Sequence, residues 1–519
     1  MKRRNFIQTT AATSLPILLN GMGLSALPKS SIFSAINGES DRVLVLIQLN
    51  GGNDGLNTII PVNQYDKLAA VRNNILIPEN NLISLTTETA MHPSMTGLKS
   101  LYDDAKLGII QSVGYPNQNR SHFRSSDIWT SGSNPDEFLS TGWMGRYFES
   151  KFPNYPEDYP NDDCGDPFAL TIGSLVSETC QSSSSNYSLA LTNPFSPSEL
   201  NITEPGQIPT DTCYGYELNF VQQAILQTNA YADTVLNAAN NGTNLATYPE
   251  ENPLAEQLKI VSLLIAGGLQ TSVYVVSLGG FDTHANQTIE GEPTTGEHAL
   301  LLQALSDGIA AFQEDLKLLG LQERVIGMTF SEFGRRIRSN DSLGTDHGNA
   351  APLMVFGSCV NPTILGNNPE IPEEVGIQDG VQMQFDFRSI YGSVLMDWFG
   401  VTEEDVKILL YPDFQHLPIL QVCNTTSTID PNRFVEEIEA YNMPNPFHNT
   451  TQIVFTTKNE WAKVSIFDPL GQEVRVLTSR QFSEGEHRIA FDSHGLAAGN
   501  YYFRIITKDR VKTKLMVKS

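Results

Sequence analysis

Five short apolar runs, separated by stretches of helical periodicity, restrict how this chain can fold. The apolar runs span residues 43–49, 107–113, 272–278, 325–330 and 352–356. The helical stretches span residues 94–102, 217–239, 254–269, 297–319 and 388–399. Continuous apolar runs of this length are typical of strands that are buried on both faces of a parallel sheet. We therefore predict an α/β domain over residues 40–410, with a mostly parallel sheet flanked by helices.

Residues 150–215 interrupt this alternation of strands and helices. They are rich in Pro, Ser, Asn, Asp and Cys and show little periodicity. Because this composition favours loops over regular elements, we expect an irregular insertion within the α/β domain.

Residues 441–519 follow a different pattern, in which apolar and polar residues alternate within short runs such as TTQIVFTT and NYYFRI. Gly, Asn, Asp or Pro separates the runs. A period of two is typical of strands with one buried face. We predict a small all-β sandwich here, joined to the α/β domain by a linker at residues 411–440.

The first 28 residues have the layout of an export signal, in which basic residues precede a mildly apolar stretch. The sequence RRNFI at residues 3–7 resembles the twin-arginine motif, which would make the twin-arginine translocase a partner. A plain basic N-terminus is the alternative. No other window is apolar enough for a spanning helix, so we expect no transmembrane segment in the mature chain.

The net charge of −25 is unevenly distributed along the chain. Residues 441–519 hold 11 Lys and Arg against 7 Asp and Glu, so the rest of the chain has a net charge of −29. An acidic surface repels nucleic acid and anionic membranes, and we predict neither as a partner. The charge suits an extracellular protein, or one that handles cations.

Polar clusters follow three of the apolar runs and occur again in a later loop. Their residues are Asn53, Asp54, Asp282, His284, Glu332, Asp346 and His347. Because ligands bind beyond the carboxyl ends of parallel strands, we expect these side chains to converge. Carboxylates and imidazoles are the usual ligands of Zn²⁺, Mn²⁺ and similar ions. The sequence therefore predicts a divalent-metal site, although a lone Asp-x-His pair can also be a surface histidine oriented by a carboxylate.

The motifs GGNDGLNT, NRSHF, GGFDTH, SEFGRR and GTDHG, in this order, resemble the exported bacterial family called domain of unknown function (DUF) 1501. The resemblance covers about residues 40–400. This family is grouped with the alkaline phosphatase and sulfatase superfamily. The resemblance thus implies an alkaline-phosphatase-like fold and metal-dependent hydrolysis of phosphate or sulfate esters. The metal would be one or two ions of Zn, Mn, Ca or Mg.

The resemblance also implies roles for individual residues. The residues that would hold the metal are Asp54 (or Asn53), Asp282, His284, Glu332, Asp346 and His347. The superfamily carries its nucleophile at the N-terminus of a helix, which points to Ser121, activated by the metal. His122 is a candidate substitute nucleophile or ligand, and Arg124 (or Arg120) would bind the anionic ester. Capping of the following helix is the alternative role of Ser121.

Two departures from the superfamily pattern keep other functions open. Phe333 stands where the superfamily often has a histidine, so a second metal would be poorly held. The chain contains no C-x-P-S-R motif, which argues against a formylglycine sulfatase. The alternatives are a non-catalytic surface protein that binds glycan or polymer in a degenerate site, and a metal with a purely structural role.

The end of the chain resembles the C-terminal sorting domain of the type IX secretion system. It contains N-P-F, V-x-I-x-D-x-x-G, G-x-H and L-x-x-G-x-Y, followed by a basic final strand. The resemblance implies export by that machinery to the extracellular space or the outer-membrane surface. An immunoglobulin-like carbohydrate-binding module is the alternative.

Overall fold

Two compact units make up the described part of the chain. The computed structural model describes residues 41–196, 212–421, 440–467, 473–507 and 511–518. The first unit contains the described residues up to 421 and the second unit those from 440 onwards. The predicted export signal and much of the predicted linker lie outside the described residues.

A nine-stranded mixed sheet is the centre of the first unit. Its strands are β1 (Val43–Leu49), β5 (Leu107–Gly114), β6 (Ala169–Ile172), β7 (Ser188–Leu191), β8 (Val273–Leu278), β9 (Val325–Phe330), β10 (Ala351–Phe356), β11 (Ile364–Leu365) and β12 (Phe385–Asp386). Their order is β11-β5-β10-β9-β1-β8-β6-β7, with β12 beside β5. Strands β9, β1, β8, β6 and β7 are parallel, whereas β10 is antiparallel to β9 and β5. The predicted α/β class with a mostly parallel sheet is confirmed.

Helices cover both faces of this sheet. They are α1 (Gly55–Thr58), α2 (Tyr65–Arg72), α3 (Thr96–Asp103), α4 (His122–Ser131), α5 (Trp143–Lys151), α6 (Cys213–Asn241), α7 (Pro253–Ala266), α8 (Glu297–Leu318), α9 (Phe387–Asp397) and α10 (Glu403–Leu409). Alternate residues of β1 belong to different cores. Val45 and Ile47 pack in the core that includes α7 and α8, whereas Leu44 and Leu46 pack in the core that includes α4, α5 and α9. Burial on both faces explains why β1 is apolar along almost its whole length.

The segment 150–215 differs from the expected irregular insertion, because it supplies β6 and β7 at one edge of the central sheet. Each of these strands has only four residues. Runs this short carry little periodicity, which explains why the sequence did not predict them. A separate small sheet in the first unit is formed by β2 (Ile59–Pro61), β4 (Thr89–Met91) and β3 (Ile83–Ser84).

The second unit contains two antiparallel sheets. Their strands are β13 (Ala440–Met443), β14 (Thr450–Thr457), β15 (Glu460–Phe467), β16 (Glu473–Phe482), β17 (Gly485–Asp492), β18 (Gly499–Thr507) and β19 (Val511–Lys518). The sheets have the orders β13-β14-β17 and β16-β15-β18-β19. Residues of both sheets, such as Ile453 and Val464, share one apolar core. The predicted C-terminal all-β sandwich is confirmed.

A buried carboxylate on α8 anchors the chain segment that leads into α7. Asp315 accepts hydrogen bonds from the amides of Leu245 and Ala246 at 2.6 and 2.9 Å. Its carboxylate also accepts from Asn244, Tyr248 and Ser262. Burial raises the pKa of Asp315, but these hydrogen bonds outweigh it and hold the pKa below its ordinary value.

We predict that Asp315→Asn lowers the free energy of unfolding by about 1–3 kcal/mol at neutral pH. The side-chain amide nitrogen of the new asparagine is a donor, and it would face groups that are themselves donors. In the folded protein the pKa of Asp315 is depressed. The stability that its ionised carboxylate contributes is therefore complete above the pKa of the unfolded chain, about 3.9, and is lost as the pH falls through the pKa of the folded protein. Urea unfolding followed by tryptophan fluorescence, between pH 7 and pH 3, measures the difference. The neighbouring exposed variant Glu314→Gln is the control, and an equal loss in both variants would contradict the assignment.

Candidate metal centre

The carboxyl ends of β1, β8 and β9 lie side by side and bring three polar loops together. Leu49 of β1 pairs with Leu278 of β8, and Gln48 pairs with Phe330 of β9. The loop after β1 packs directly on the loop after β8. A Cβ atom on Gly51, whose φ is +122°, would lie 2.2 Å from the backbone nitrogen of Asp282. Only glycine permits this approach and this backbone angle.

Three histidines at this edge have their Nδ1 atoms held by oxygen acceptors. Nδ1 of His122 is 2.9 Å from Oε1 of Glu332, and Nδ1 of His284 is 3.0 Å from Oδ1 of Asp346. Nδ1 of His347 is 2.8 Å from the carbonyl oxygen of Arg120. Because a carboxylate or carbonyl oxygen only accepts, each Nδ1 carries the proton. Each neutral imidazole therefore presents an unprotonated Nε2.

The three Nε2 atoms converge on the carboxylate of Asp282. The Nε2 atoms of His284 and His347 are 2.9 Å apart, and they lie 3.2 and 3.0 Å from Oδ1 of Asp282. Nε2 of His122 lies 3.4 Å from Oδ2 of the same carboxylate. In the neutral tautomers these are all acceptors, and a shared cation, either a metal ion or a proton, would make their proximity favourable.

The donor set fits a divalent metal ion. In a tetrahedral site with metal–ligand distances of 2.0–2.1 Å, donor atoms lie about 3.3 Å from one another. Nε2 of His284, Nε2 of His347 and Oδ1 of Asp282 lie 2.9–3.2 Å from one another, close to that spacing, and Nε2 of His122 lies 3.4 Å from the second oxygen of the same carboxylate. His122, Asp282 and His347 also form a group whose ligand atoms all lie within 4.8 Å of one another. Histidine ligands that donate their other ring nitrogen to an oxygen acceptor are the usual arrangement around zinc.

The ionisation states of these groups also suit metal binding. Partial burial raises the pKa of Asp282, but the hydrogen bond and positive charge of Arg335 help to outweigh it, and the pKa is lowered to about 2. Burial lowers the pKa of His347, and the hydrogen bond to the carbonyl oxygen of Arg120 opposes this only in part. An ionised carboxylate and a neutral imidazole are the forms that bind metal.

Glu332 and Asp346, which were expected to be ligands, contact the histidines instead. Oε1 of Glu332 accepts from the amide of Gly51 at 2.8 Å as well as facing His122. Oδ2 of Asp346 pairs with Arg336 at 3.0 Å, and its Oδ1 faces His284. In these positions both carboxylates orient imidazoles.

The structure does not bring Asp54 to this cluster. Its carboxylate is buried in an ion pair with Arg72 at 2.9 Å and accepts from Gln287 at 2.6 Å. Burial raises the pKa of Asp54, but the positive charge of Arg72 outweighs it and keeps the pKa below its ordinary value. Asn53, the alternative ligand, is also buried, and its Oδ1 is 3.1 Å from Nε2 of His298.

Ser121 and Arg124 lie beside the centre, on or just before α4, but neither side chain joins it. Ser121 is the N-cap residue of α4 and is exposed, and its side chain makes no capping hydrogen bond. The guanidinium of Arg124 lies 3.9 Å from the centre of the Phe138 ring. It also pairs with Asp127 and donates to the carbonyl oxygens of the loop that follows α4. These contacts direct the Arg124 guanidinium towards that loop.

Arg335 is a residue of the site that the sequence did not single out. Its guanidinium is almost completely buried and donates to the carbonyl oxygens of Gly52 at 2.8 Å, Phe281 at 2.9 Å and Thr345 at 2.7 Å. It also pairs with Oδ1 of Asp282 at 2.7 Å. The guanidinium thus links all three loops of the centre. Its position three residues after the strand-end Glu332, in the SEFGRR motif, was the available signal.

A cleft of about 480 Å³ opens beside the centre. His122, Asp282 and Glu332 form one part of its lining. Phe123 from the first turn of α4 and Glu178 from a short turn before β7 line another part. The centre is therefore open to a molecule larger than water.

Two families match the chain, and they cover most of it. Residues 114–406 match the family described as "Protein of unknown function (DUF1501)". Residues 442–519 match the family described as "Secretion system C-terminal sorting domain". The second match confirms the predicted type IX sorting domain, so the protein is exported and attached to the cell surface. No curated protein matches the chain significantly.

Several solved structures are similar to the chain at low identity. The PsFucS1 sulfatase from Pseudoalteromonas sp. is 11% identical with a TM-score of 0.32, covering 89% of this chain and 86% of that one. Phosphonate monoester hydrolase SpPMH from Silicibacter pomeroyi is 10% identical with a TM-score of 0.33, covering 92% and 89%. A protein in the alkaline phosphatase superfamily from Vibrio parahaemolyticus is 8% identical with a TM-score of 0.32, covering 92% and 82%. Structural similarity at TM-scores this low gives no information about activity.

Among the described residues, no helix combines the length and the apolarity needed to cross a bilayer.

The buried amide of Gln287 connects the loops that carry the centre. Its Oε1 accepts from the hydroxyls of Thr283 at 3.1 Å and Thr345 at 2.7 Å. Its Nε2 donates to Asp54 at 2.6 Å. Thr283 lies between two candidate ligands in sequence, and Thr345 lies two residues before a third.

We predict that Gln287→Leu weakens Zn²⁺ binding by about 10–100-fold, because the loops that carry the ligands lose their shared acceptor. Isothermal titration of the full chain with Zn²⁺ measures the change. Gln313→Leu is the matched control, since Gln313 is buried and its amide has no hydrogen-bond partner among the described residues. Equal Zn²⁺ affinity in Gln287→Leu and the unaltered chain would contradict the prediction.

Proposed function

Because the chain belongs to the DUF1501 family, whose function is unknown, we propose its activity from the site: metal-dependent hydrolysis of a phosphate or sulfate ester. One observation carries the proposal. The Nε2 atoms of His122, His284 and His347 face the carboxylate of Asp282, and an oxygen acceptor holds the Nδ1 atom of each ring. A shared ion in an open cleft is the arrangement that metal-dependent hydrolases use.

The donor set narrows the choice of metal. Three imidazoles and one carboxylate suit Zn²⁺ and comparable transition metals such as Mn²⁺. Ca²⁺ and Mg²⁺ prefer sites built from oxygen ligands. Of the four metals suggested by the sequence, Zn and Mn are therefore favoured over Ca and Mg.

The proposal gives the residues of the chain separate roles. His122, Asp282, His284 and His347 would hold the metal, while hydrogen bonds from Glu332 and Asp346 orient two of the histidines. When bound, the ion would polarise the ester and offset the charge that develops as the ester bond breaks. The buried guanidinium of Arg335 keeps Asp282 ionised and in place.

The nucleophile has two candidates at the start of α4. Ser121 keeps its sequence-based role in the proposal, since its hydroxyl is exposed directly before the centre. His122 lines the cleft, and the contact of its Nδ1 with Glu332 fixes the orientation of the ring. Its Nε2 cannot bind the metal and attack the ester at the same time. We therefore assign ligation to His122 and nucleophilic attack to Ser121 or to water.

We predict that the full chain, purified without chelator or affinity metal, binds about one equivalent of Zn²⁺ or Mn²⁺. It should then hydrolyse 4-nitrophenyl phosphate or sulfate. His284→Ala should lose the metal and at least about 100-fold in kcat/KM, because one ligand is removed. Elemental analysis and the release of 4-nitrophenol measure the two quantities.

His416→Ala is the matched control, because His416 is 41% exposed, as against 44% for His284, and its ion pair is with Asp397. Ser121→Ala in the same assay separates the two nucleophiles, since activity persists if water attacks. Metal binding without turnover of either ester would favour the non-catalytic alternative. Failure to bind any metal would overturn the proposal.

A further inference from the structure

We propose that the cleft beside the metal centre binds an uncharged sugar unit, with Phe123 as its stacking surface and Glu178 as an acceptor for its hydroxyl groups. The sugar would be the part of the substrate that carries the phosphate or sulfate ester, so this proposal rests on the proposed function.

The ring of Phe123 is unusually accessible for a large apolar side chain. It is 90% exposed, and it follows His122 directly on the first turn of α4. The ring also lines the cleft, so a molecule bound at the centre can cover it. The face of an aromatic ring is negative and attracts the weakly positive C–H groups of a sugar, and covering the ring removes apolar surface from water.

The charge of the cleft disfavours a polyanionic ligand. Its lining includes the carboxylates of Asp127 and Glu178, and no Lys or Arg belongs to it among the described residues. The nearest guanidinium on α4, that of Arg124, pairs with Asp127 and stacks on Phe138 instead. A sulfated or uronic-acid polymer would therefore meet the negative charge of Glu178, whereas sugar hydroxyls can donate to that carboxylate.

The wall that carries Glu178 is held firmly in place. The amide of Gly142, just before α5, donates to the carbonyl oxygen of Gln181 at 2.8 Å. A Cβ atom on Gly142 would lie 2.1 Å from the carbonyl oxygen of Glu178, so only glycine allows this packing. The backbone that carries Glu178 is therefore fixed, and this part of the wall does not have to become ordered when a ligand binds.

The remaining lining residues favour a neutral sugar over an amine. Asn50 and Ser126 contribute an uncharged amide and hydroxyl, which suit hydroxyl groups as donors and acceptors. Recognition of an organic cation usually relies on a cage of several Phe, Tyr or Trp rings, and Phe123 is the single residue of these types in the described lining.

The test is isothermal titration of the full chain with neutral hexasaccharides (xylan, mannan, β-glucan and α-glucan types), a heparin hexasaccharide and choline. We expect one neutral hexasaccharide to bind more tightly than the heparin fragment or choline. Phe123→Ala should weaken that binding by at least about tenfold, because the stacking surface is lost. Phe123 is exposed, so its replacement leaves the core intact. Glu178→Lys should weaken neutral binding and strengthen heparin binding.

Phe195→Ala, which removes an exposed ring outside the cleft lining, is the matched control. In His284→Ala, we expect the affinity for the sugar to stay within about threefold of that of the unaltered chain, while ester hydrolysis is lost. Failure of the sugar proposal can thus be distinguished from failure of the proposed function. The sugar inference is overturned if no neutral hexasaccharide binds, if Phe123→Ala binds unchanged, or if heparin or choline binds more tightly.

Discussion

The centre depends on one buried guanidinium. Arg335 is 1% exposed, and it donates to the backbone of the loops after β1 and β8 and to the loop before His347. It also pairs with Asp282, the carboxylate on which the imidazoles converge. A buried guanidinium is stable only when its N–H groups have acceptors, so the loops are fixed in the arrangement that satisfies it. The same contacts that stabilise Arg335 therefore position the candidate ligands.

The carboxylates at and near the centre differ in burial and in partner. Asp54 is buried against Arg72 and stabilises the fold, whereas Asp282 is 46% exposed and faces the histidines. Glu332 and Asp346 lie between these extremes, since each accepts a hydrogen bond from an imidazole Nδ1. Acceptors of this kind fix the tautomer and the ring orientation of each histidine. Because the site contains carboxylates, a bound cation would not leave an uncompensated positive charge in the interior.

The sequence predicted the sheet and the loops of the centre better than the roles of single residues. The apolar runs that became β1, β8 and β9 identified the edge at which Asp282, His284 and Glu332 meet, because parallel strands share that edge. The burial of the Asp54 side chain could not be predicted, because its partner Arg72 lies on a separate helix whose sequence has no distinguishing pattern. The four-residue strands β6 and β7 were missed because short runs have no measurable period. Ligands and their orienting carboxylates look alike in sequence and differ only in three-dimensional geometry.

X-ray absorption at the zinc edge of the full chain, loaded with one equivalent of Zn²⁺, tests the central claim most directly. The account predicts three imidazole nitrogens and at least one oxygen at about 2.0–2.1 Å. His122→Ala should then show one imidazole fewer, whereas Glu332→Gln should keep all three, because Glu332 orients a ligand without binding the metal. A shell built only from oxygen, or an imidazole number unchanged in His122→Ala, would contradict the account.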